Sequence, residues 1–191
     1  MITKPPGWPF LTVLSAVACV ILYWASVPHW YGIEMVLVAF FFGIPLWIIW
    51  LVRFGLAAYK GAVFDRLARW LAPWFIVAGV VVALILDASF WVRFTISKPS
   101  MEAYARTVTA ETARDFSCQW LGLYRICDAF PYTSEDVGHV PGSACLIGEE
   151  WAIHSNTNFV LLPTGEPEET MDDTYRHLTG HWYGWHGWDS L

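Results

Sequence analysis

The stretch that most constrains this chain is Leu71–Val92, LAPWFIVAGVVVALILDASFWV, in which Asp87 is the single charged residue. A hydrocarbon core of about 30 Å needs about 20 apolar residues in helical form. Inside it every backbone polar group must be satisfied within the helix. Two earlier runs, Phe10–Val27 and Met35–Val52, have the same character. Three such runs followed by a polar, cysteine-bearing half predict a membrane protein. Its expected plan is three transmembrane α-helices over residues 1–97, then a small extracytoplasmic α+β domain over 98–191, one helix plus an antiparallel sheet. The 56% hydrophobic content agrees, since soluble domains hold roughly 45–50%.

The first run starts after Lys4 as a signal peptide would, but its length and the lack of a small-x-small site favour a retained anchor. In the second run Pro45 removes a backbone donor and predicts a kink. Pro73 falls in the first turn of the third, where it does no harm.

Charge sets the orientation. The turn PHWYGIE has no Lys or Arg, whereas the 53–70 connection carries Arg53, Lys60, Arg66 and Arg69. The positive-inside rule then puts the N-terminus and that connection in the cytoplasm, and everything after Phe94 outside the plasma membrane. Val63, Phe64, Leu67 and Leu71 recur at helical spacing beside Arg66 and Arg69, reading as an interfacial helix or a solvated basic turn. Residues 95–191 hold fourteen acidic side chains against five basic ones. That balance excludes a nucleic-acid partner, which needs clustered positive charge.

Asp87 would cost about 2.5–3.5 kcal/mol at a span's centre, and less at its outer end. It reads as a wet residue paired with Arg93 or the backbone, as an assembly contact in a homo-oligomer, or as a relay in transport. Three spans with one acid offer no chain of ionisable partners, so the assembly contact is the functional reading carried forward.

In the second half, Pro99 predicts the end of the third helix near Lys98. A new helix is expected from Pro99 or Ser100 to about Arg114, with Met101, Tyr104 and Val108 on its apolar face. Strands are expected over 119–130, 148–155 and 158–163. The disulfide candidates are Cys127, Cys145 and Cys118, with Cys19 a filler in the first span. Cys118 and Cys127, read as nine residues apart on one extended strand, are too distant to bond. Cys127–Cys145 is the expected pair and Cys118–Cys145 its rival.

Reaction motifs are missing: no nucleophile elbow, phosphate loop, dinucleotide fingerprint or CxxC occurs. His177 and His181 have the i, i+4 spacing of a helical metal pair, but Gly180, Gly184 and Gly187 oppose a helix there. Glu166, Glu168, Glu169, Asp172 and Asp173 lack the ligand pattern of a calcium loop. Glu149 and Glu150 would point to opposite strand faces. No catalytic residue, metal ligand or cofactor is assigned. The tail places Trp182, Trp185 and Trp188 every third residue, with Tyr183 between. These side chains read as a core wall, as an anchor in the outer headgroup layer, or as an exposed binding platform.

GLYRI (122–126), GEEWAI (148–153) with GEP (165–167), and YRHLTGHWYGW (175–185) carry a resemblance. On these segments the second half of the chain resembles uncharacterised small multi-span membrane proteins of high-GC Gram-positive bacteria, which implies a bacterial plasma membrane with the C-terminal domain facing the cell wall. The resulting expectation is an integral membrane protein displaying a non-catalytic binding or accessory domain, with lipid and another membrane or envelope protein as partners. The alternatives are an enzyme with a metal-dependent external site and a subunit of a transport complex.

Overall fold

A computed structural model describes residues 4–61, 63–108, 118–134, 138–149, 156–170 and 173–187. The chain forms two compact units. The first comprises residues up to Ala25 together with Gly32–Ser89, and the second comprises Ser26–Tyr31 with Phe90–Leu191. The second unit thus takes in residues 90–97, which the sequence assigned to the membrane region, and recruits the short turn between the first two apolar runs.

The first unit is helical. Helix α1 covers Trp8–Trp24, and α2 (Gly32–Val38) runs through a π-helical turn, Ala39–Gly43, into α3 (Ile44–Tyr59). The expected irregularity at Pro45 takes this form. Pro45 cannot donate to the carbonyl four residues back and its ring crowds that carbonyl. The backbone relaxes to an i→i+5 bond, Ile44 N–H donating to the Ala39 carbonyl; π-bulges commonly absorb such defects. After a 3₁₀ turn at Phe64–Arg66, α4 covers Leu67–Ile85. Gly32–Tyr59 and Leu67–Ile85 are long and apolar enough to cross a membrane, and Trp8–Trp24 is a shorter apolar helix.

An aromatic knot joins α3 and α4. Trp50 stacks on Trp47 and Phe54, and Trp74 meets both Trp47 and Trp50 edge-on. Trp50 and Trp70 are fully buried. Beyond the knot the unit exposes carbon: Phe40, Phe41, Phe42, Phe75, Ile85 and Leu86 are each more than half accessible.

The third apolar run does not form one helix to Val92. It stops at Ile85, and Asp87 adopts a φ of 49°, the left-handed region that Asp tolerates better than β-branched residues do. Helix α5 then starts at Ala88 and continues through Pro99 to Ala105. This corrects both the expected stop near Lys98 and the expected restart at Pro99; residues 109–114 lie outside the described ones. Phe90, Phe94, Ser97, Met101 and Ala105 form one buried stripe along α5. Its packing runs unbroken past Pro99 and offsets the roughly 3 kcal/mol that an interior proline costs.

The second unit is a six-stranded antiparallel sheet with α5 on one face. In chain order its strands are β1 (Gln119–Leu121), β2 (Tyr124–Phe130), β5 (Ala144–Gly148), β6 (Asn156–Leu161), β7 (Thr174–Thr179) and β8 (Trp182–Gly187). The spatial order is β1-β2-β5-β6-β8-β7, and β3 (Thr133–Ser134) with β4 (Gly138–His139) forms a separate short ladder. Phe94 stacks on Phe159 and meets Trp182 edge-on, closing the α5 side. On the opposite face Tyr132, Cys145, Val160, Leu162 and Trp185 form a second cluster. Helices followed by an antiparallel sheet domain therefore match the expected α+β plan.

Candidate functional site

The sequence read QWLGLYRICDAF as one strand, but it folds as a hairpin. Leu121 pairs with Tyr124, Trp120 with Arg125 and Gln119 with Ile126, and Gly122 turns the chain at a φ of 66°. The register sets Cys118 opposite Cys127, and the two form a disulfide. This corrects the expected Cys127–Cys145 pair and its rival Cys118–Cys145. Cross-strand neighbours are close however far apart they would be along one strand. Cys145 is instead buried and outside any disulfide, and Cys19 is exposed and likewise not disulfide-bonded.

Two devices hold the hairpin in place. At its tip, the Arg93 guanidinium donates to the Leu123 carbonyl through Nε (3.1 Å) and Nη2 (2.8 Å), while Leu123 N–H donates to Ser97 Oγ at 2.9 Å. Arg93 also donates to Ser26 Oγ and lies 4.1 Å over the Tyr124 ring. Gly122 is pressed against α5 so closely that an added Cβ would sit 2.6 Å from Ser97 Cα. At its base, a β-bulge falls between Ile126 and Asp128, so Cys127 is the extra residue opposite β5. Bulges re-aim side chains and cluster near functional positions.

The bulge brings in a third group. Glu149 follows β5, and its N–H donates to the Arg125 carbonyl at 3.1 Å. Its Oε2 lies 3.4 Å from Cys118 Sγ and 3.1 Å from Cys127 Sγ, and 3.6 Å from Arg125 Nη1. The result is an exposed corner, next to the short edge strand β1, that gathers two sulfurs, a carboxylate and a guanidinium. Sequence reasoning passed over Glu149 because it weighed the residue only against its neighbour Glu150. The signal that could have found the corner was the spacing of Cys118 and Cys127 about Gly122-Leu123.

The other singled-out residues do not converge. His177 lies on β7 with its Nε2 3.0 Å from the Gly180 carbonyl, and His181 occupies the turn between β7 and β8. Trp182 and Trp185 are buried and pack on opposite faces of the sheet, so with Tyr183 they share no exposed platform. Trp188, Asp172 and Glu150 lie outside the described residues. Within the acidic loop, Asp173 Oδ1 accepts from Trp185 Nε1 at 2.7 Å, and Glu168 accepts from Ser134 Oγ while its N–H donates to Tyr132 Oη. These bonds fasten the loop over the second cluster. Burial there, with Tyr132 and Asp173 nearby, raises the Tyr175 hydroxyl well above its ordinary range.

A second polar group forms around the Ser26–Tyr31 turn. His29 Nε2 lies 3.3 Å from the Gly184 carbonyl, its ring centroid is 5.5 Å from that of His186, and Arg176 Nη1 donates to the Pro28 carbonyl at 3.1 Å. Burial first, then the charges of His186 and Arg176, lower the His29 pKa, against the opposing bond to Gly184. Pro28 sits where a Cβ on Gly184 would be, 2.2 Å away. These contacts act as a clasp within the second unit.

In the first unit a cavity of about 300 Å³ is lined by α1, the α2–α3 helix and α4, through residues such as Leu14, Ile21, Gly43, Trp47 and Val80. Its wall is almost wholly carbon and suits hydrocarbon; it presents no chemistry. No protein-family model matches the chain, and neither curated proteins nor solved structures give a match.

Proposed function

We propose that the chain is a three-span integral membrane protein that displays its sheet unit on the extracytoplasmic side as a non-catalytic binding or accessory module. The observation carrying this reading is the contrast between the two units. The helical unit leaves large apolar side chains open on its surface, from Phe40–Phe42 to Phe75 and Ile85, an arrangement stable in lipid and aggregation-prone in water. The sheet unit buries Tyr124, Phe159, Trp182 and Trp185 and closes a disulfide, as suits an oxidising compartment. Helix α1, with 17 residues, is at the short end of spanning length and serves as the first span.

Orientation rests on charge. Arg53, Lys60, Arg66 and Arg69 surround the α3–α4 connection, and Arg53 Nη2 donates to the Lys4 carbonyl at 2.9 Å. The N-terminal segment and the basic connection thus share one end of the helical unit, which the positive-inside rule assigns to the cytoplasm. The large apolar side chains that the sheet unit leaves open are Trp30, Trp91, Val92, Ile96, Trp120 and Leu123, among the described residues. Trp at this density favours an interfacial setting. The resemblance to membrane proteins of Gram-positive bacteria supports a plasma-membrane location with lipid and a further envelope protein as partners. Asp87 is kept as a contact in a homo-oligomer.

The test is paired reporter fusions. Alkaline phosphatase fused after Leu191 is active and the same reporter placed at Gly61 is inactive. Cytoplasmic activity of the C-terminal fusion, or release of the protein by alkaline carbonate, sinks the reading. Crosslinking in native membranes then separates an accessory subunit, which yields a defined complex, from a chain that works alone.

A further inference from the structure

We propose that Cys118, Cys127 and Glu149 form a redox-gated Zn²⁺ site, closed while the cysteines are joined and open once they are reduced. The two sulfurs and the carboxylate oxygen all lie within 4.8 Å of one another. Glu149 Oε2 approaches both sulfurs, at 3.4 and 3.1 Å, yet disulfide sulfurs carry no proton to give it. The same contacts become S–H···O hydrogen bonds in the dithiol and shared coordination around a cation in the metal-bound form. The carboxylate therefore favours the two reduced states over the oxidised one.

The ligands do not depend on the S–S bond for their placement. The β1–β2 ladder, the Arg93 and Ser97 bonds at Leu123, and the Glu149–Arg125 backbone bond hold all three from outside the disulfide. Cys118 and Glu149 are exposed, so an ion can enter and water can complete a tetrahedral shell. Two thiolates with one carboxylate suit Zn²⁺, at about 2.3 Å for Zn–S and about 2.0–2.2 Å for Zn–O. They do not suit the oxygen-seeking Mg²⁺ or Ca²⁺. Arg125, 3.6 Å from the same Oε2, neutralises Glu149 while no ion is bound.

The chemistry balances through thiol–disulfide exchange with a dithiol reductant. One reductant thiolate attacks a sulfur of the Cys118–Cys127 bond and forms a mixed disulfide. The second reductant thiol resolves it, leaving as the oxidised partner, while Cys118 and Cys127 gain two electrons and two protons. Zn²⁺ binding then releases those two protons, as thiolate coordination requires. The site holds on either side of a membrane, so its failure leaves the topology reading untouched.

Full-length protein in detergent, oxidised or treated with a dithiol and desalted, is titrated with Co²⁺ as a spectroscopic stand-in for Zn²⁺. The expected result is thiolate-to-cobalt charge-transfer absorption, saturating at one ion per chain and reversed by Zn²⁺, in the reduced protein alone. Cys118→Ser abolishes it, and Glu149→Gln, which leaves the oxidised fold intact, weakens binding about tenfold or more. The proposal is overturned if the reduced protein shows no such absorption. It is equally overturned if Cys118→Ser retains the band, which assigns it to Cys19 or Cys145, or if Glu149→Gln binds as tightly as the parent.

Discussion

Arg93 spends two of its guanidinium nitrogens on one acceptor, the Leu123 carbonyl at the tip of the β1–β2 hairpin. Arg93 is 8% exposed, and a buried cation persists only where hydrogen bonds and a favourable ring face replace water. Tyr124 supplies that face. Arg93→Ala leaves the Leu123 carbonyl and Ser26 hydroxyl without these donors and is expected to cost about 3 kcal/mol. Arg93→Lys recovers only part of it, because an ammonium cannot make the forked contact. Thermal unfolding of the detergent-solubilised protein, followed by near-UV dichroism, measures both.

Gly122 gives a sharper steric test. Ala there requires both a φ of 66° and a Cβ 2.6 Å from Ser97 Cα, a backbone-linked atom that cannot rotate away. The expected loss exceeds the roughly 1 kcal/mol of left-handed strain alone. Gly138→Ala, at a φ of 74° with open space around its Cβ position, isolates that strain. If both variants lose the same stability, the close approach to α5 is wrong.

The disulfide pairing is checked by mass. Denatured, unreduced protein labelled with a maleimide takes up reagent at Cys19 and Cys145 only. Cys145→Ala leaves the oxidised pair intact, and Cys127→Ser frees Cys118. Losing the cross-link costs roughly 2–3 kcal/mol by the loop-entropy relation, seen as a lower midpoint in urea.

The His29 clasp makes the second unit sensitive to acid. Its pKa lies below the ordinary value of 6.5, so the native state binds fewer protons there than the unfolded chain does. The stability tied to neutral His29 is complete above 6.5 and is lost as the pH falls toward the lowered folded value. His29→Gln is expected to flatten this slope between neutral and mildly acidic pH. An unchanged slope would show that other groups set it.

Asp87 separates conformation from charge. Asn also tolerates the left-handed region, so Asp87→Asn is expected to fold as the parent does while its oligomer weakens through loss of the carboxylate contact. Asp87→Val costs about 1–2 kcal/mol through its φ of 49°. An unchanged oligomer in Asp87→Asn on native gels would instead show that the carboxylate makes no assembly contact.

What could be read from the sequence was what depends on composition over many residues. The apolar runs marked the helices, and the polar second half marked an α+β unit. What escaped depends on a single backbone angle or on packing from afar. Gly122-Leu123 lacks the Asn-Gly or Asp-Gly signature of a tight hairpin, so the turn was hidden inside a β-forming run, and the Cys118–Cys127 pair with it. Asp87 looked like a charge problem alone, and its left-handed backbone also ends one helix and starts the next. Pro99 looked like a stop signal, but the stripe from Phe90 to Ala105 carries the helix through it. The Glu149 corner needs a bulge at Cys127, which no local pattern announces.

The Ser26–Tyr31 turn also imposes an order on biosynthesis. It leaves the ribosome long before Phe90–Leu191, to which it belongs. Pro28 cannot reach its seat on Gly184, nor His29 its carbonyl, until the chain has been made through that residue. The sheet unit is therefore completed backwards, its earliest segment fitted last. A chain cut at residue 90 to isolate the C-terminal part discards that segment, and a nascent chain stalled before Trp182 still waits for the surface it is meant to close.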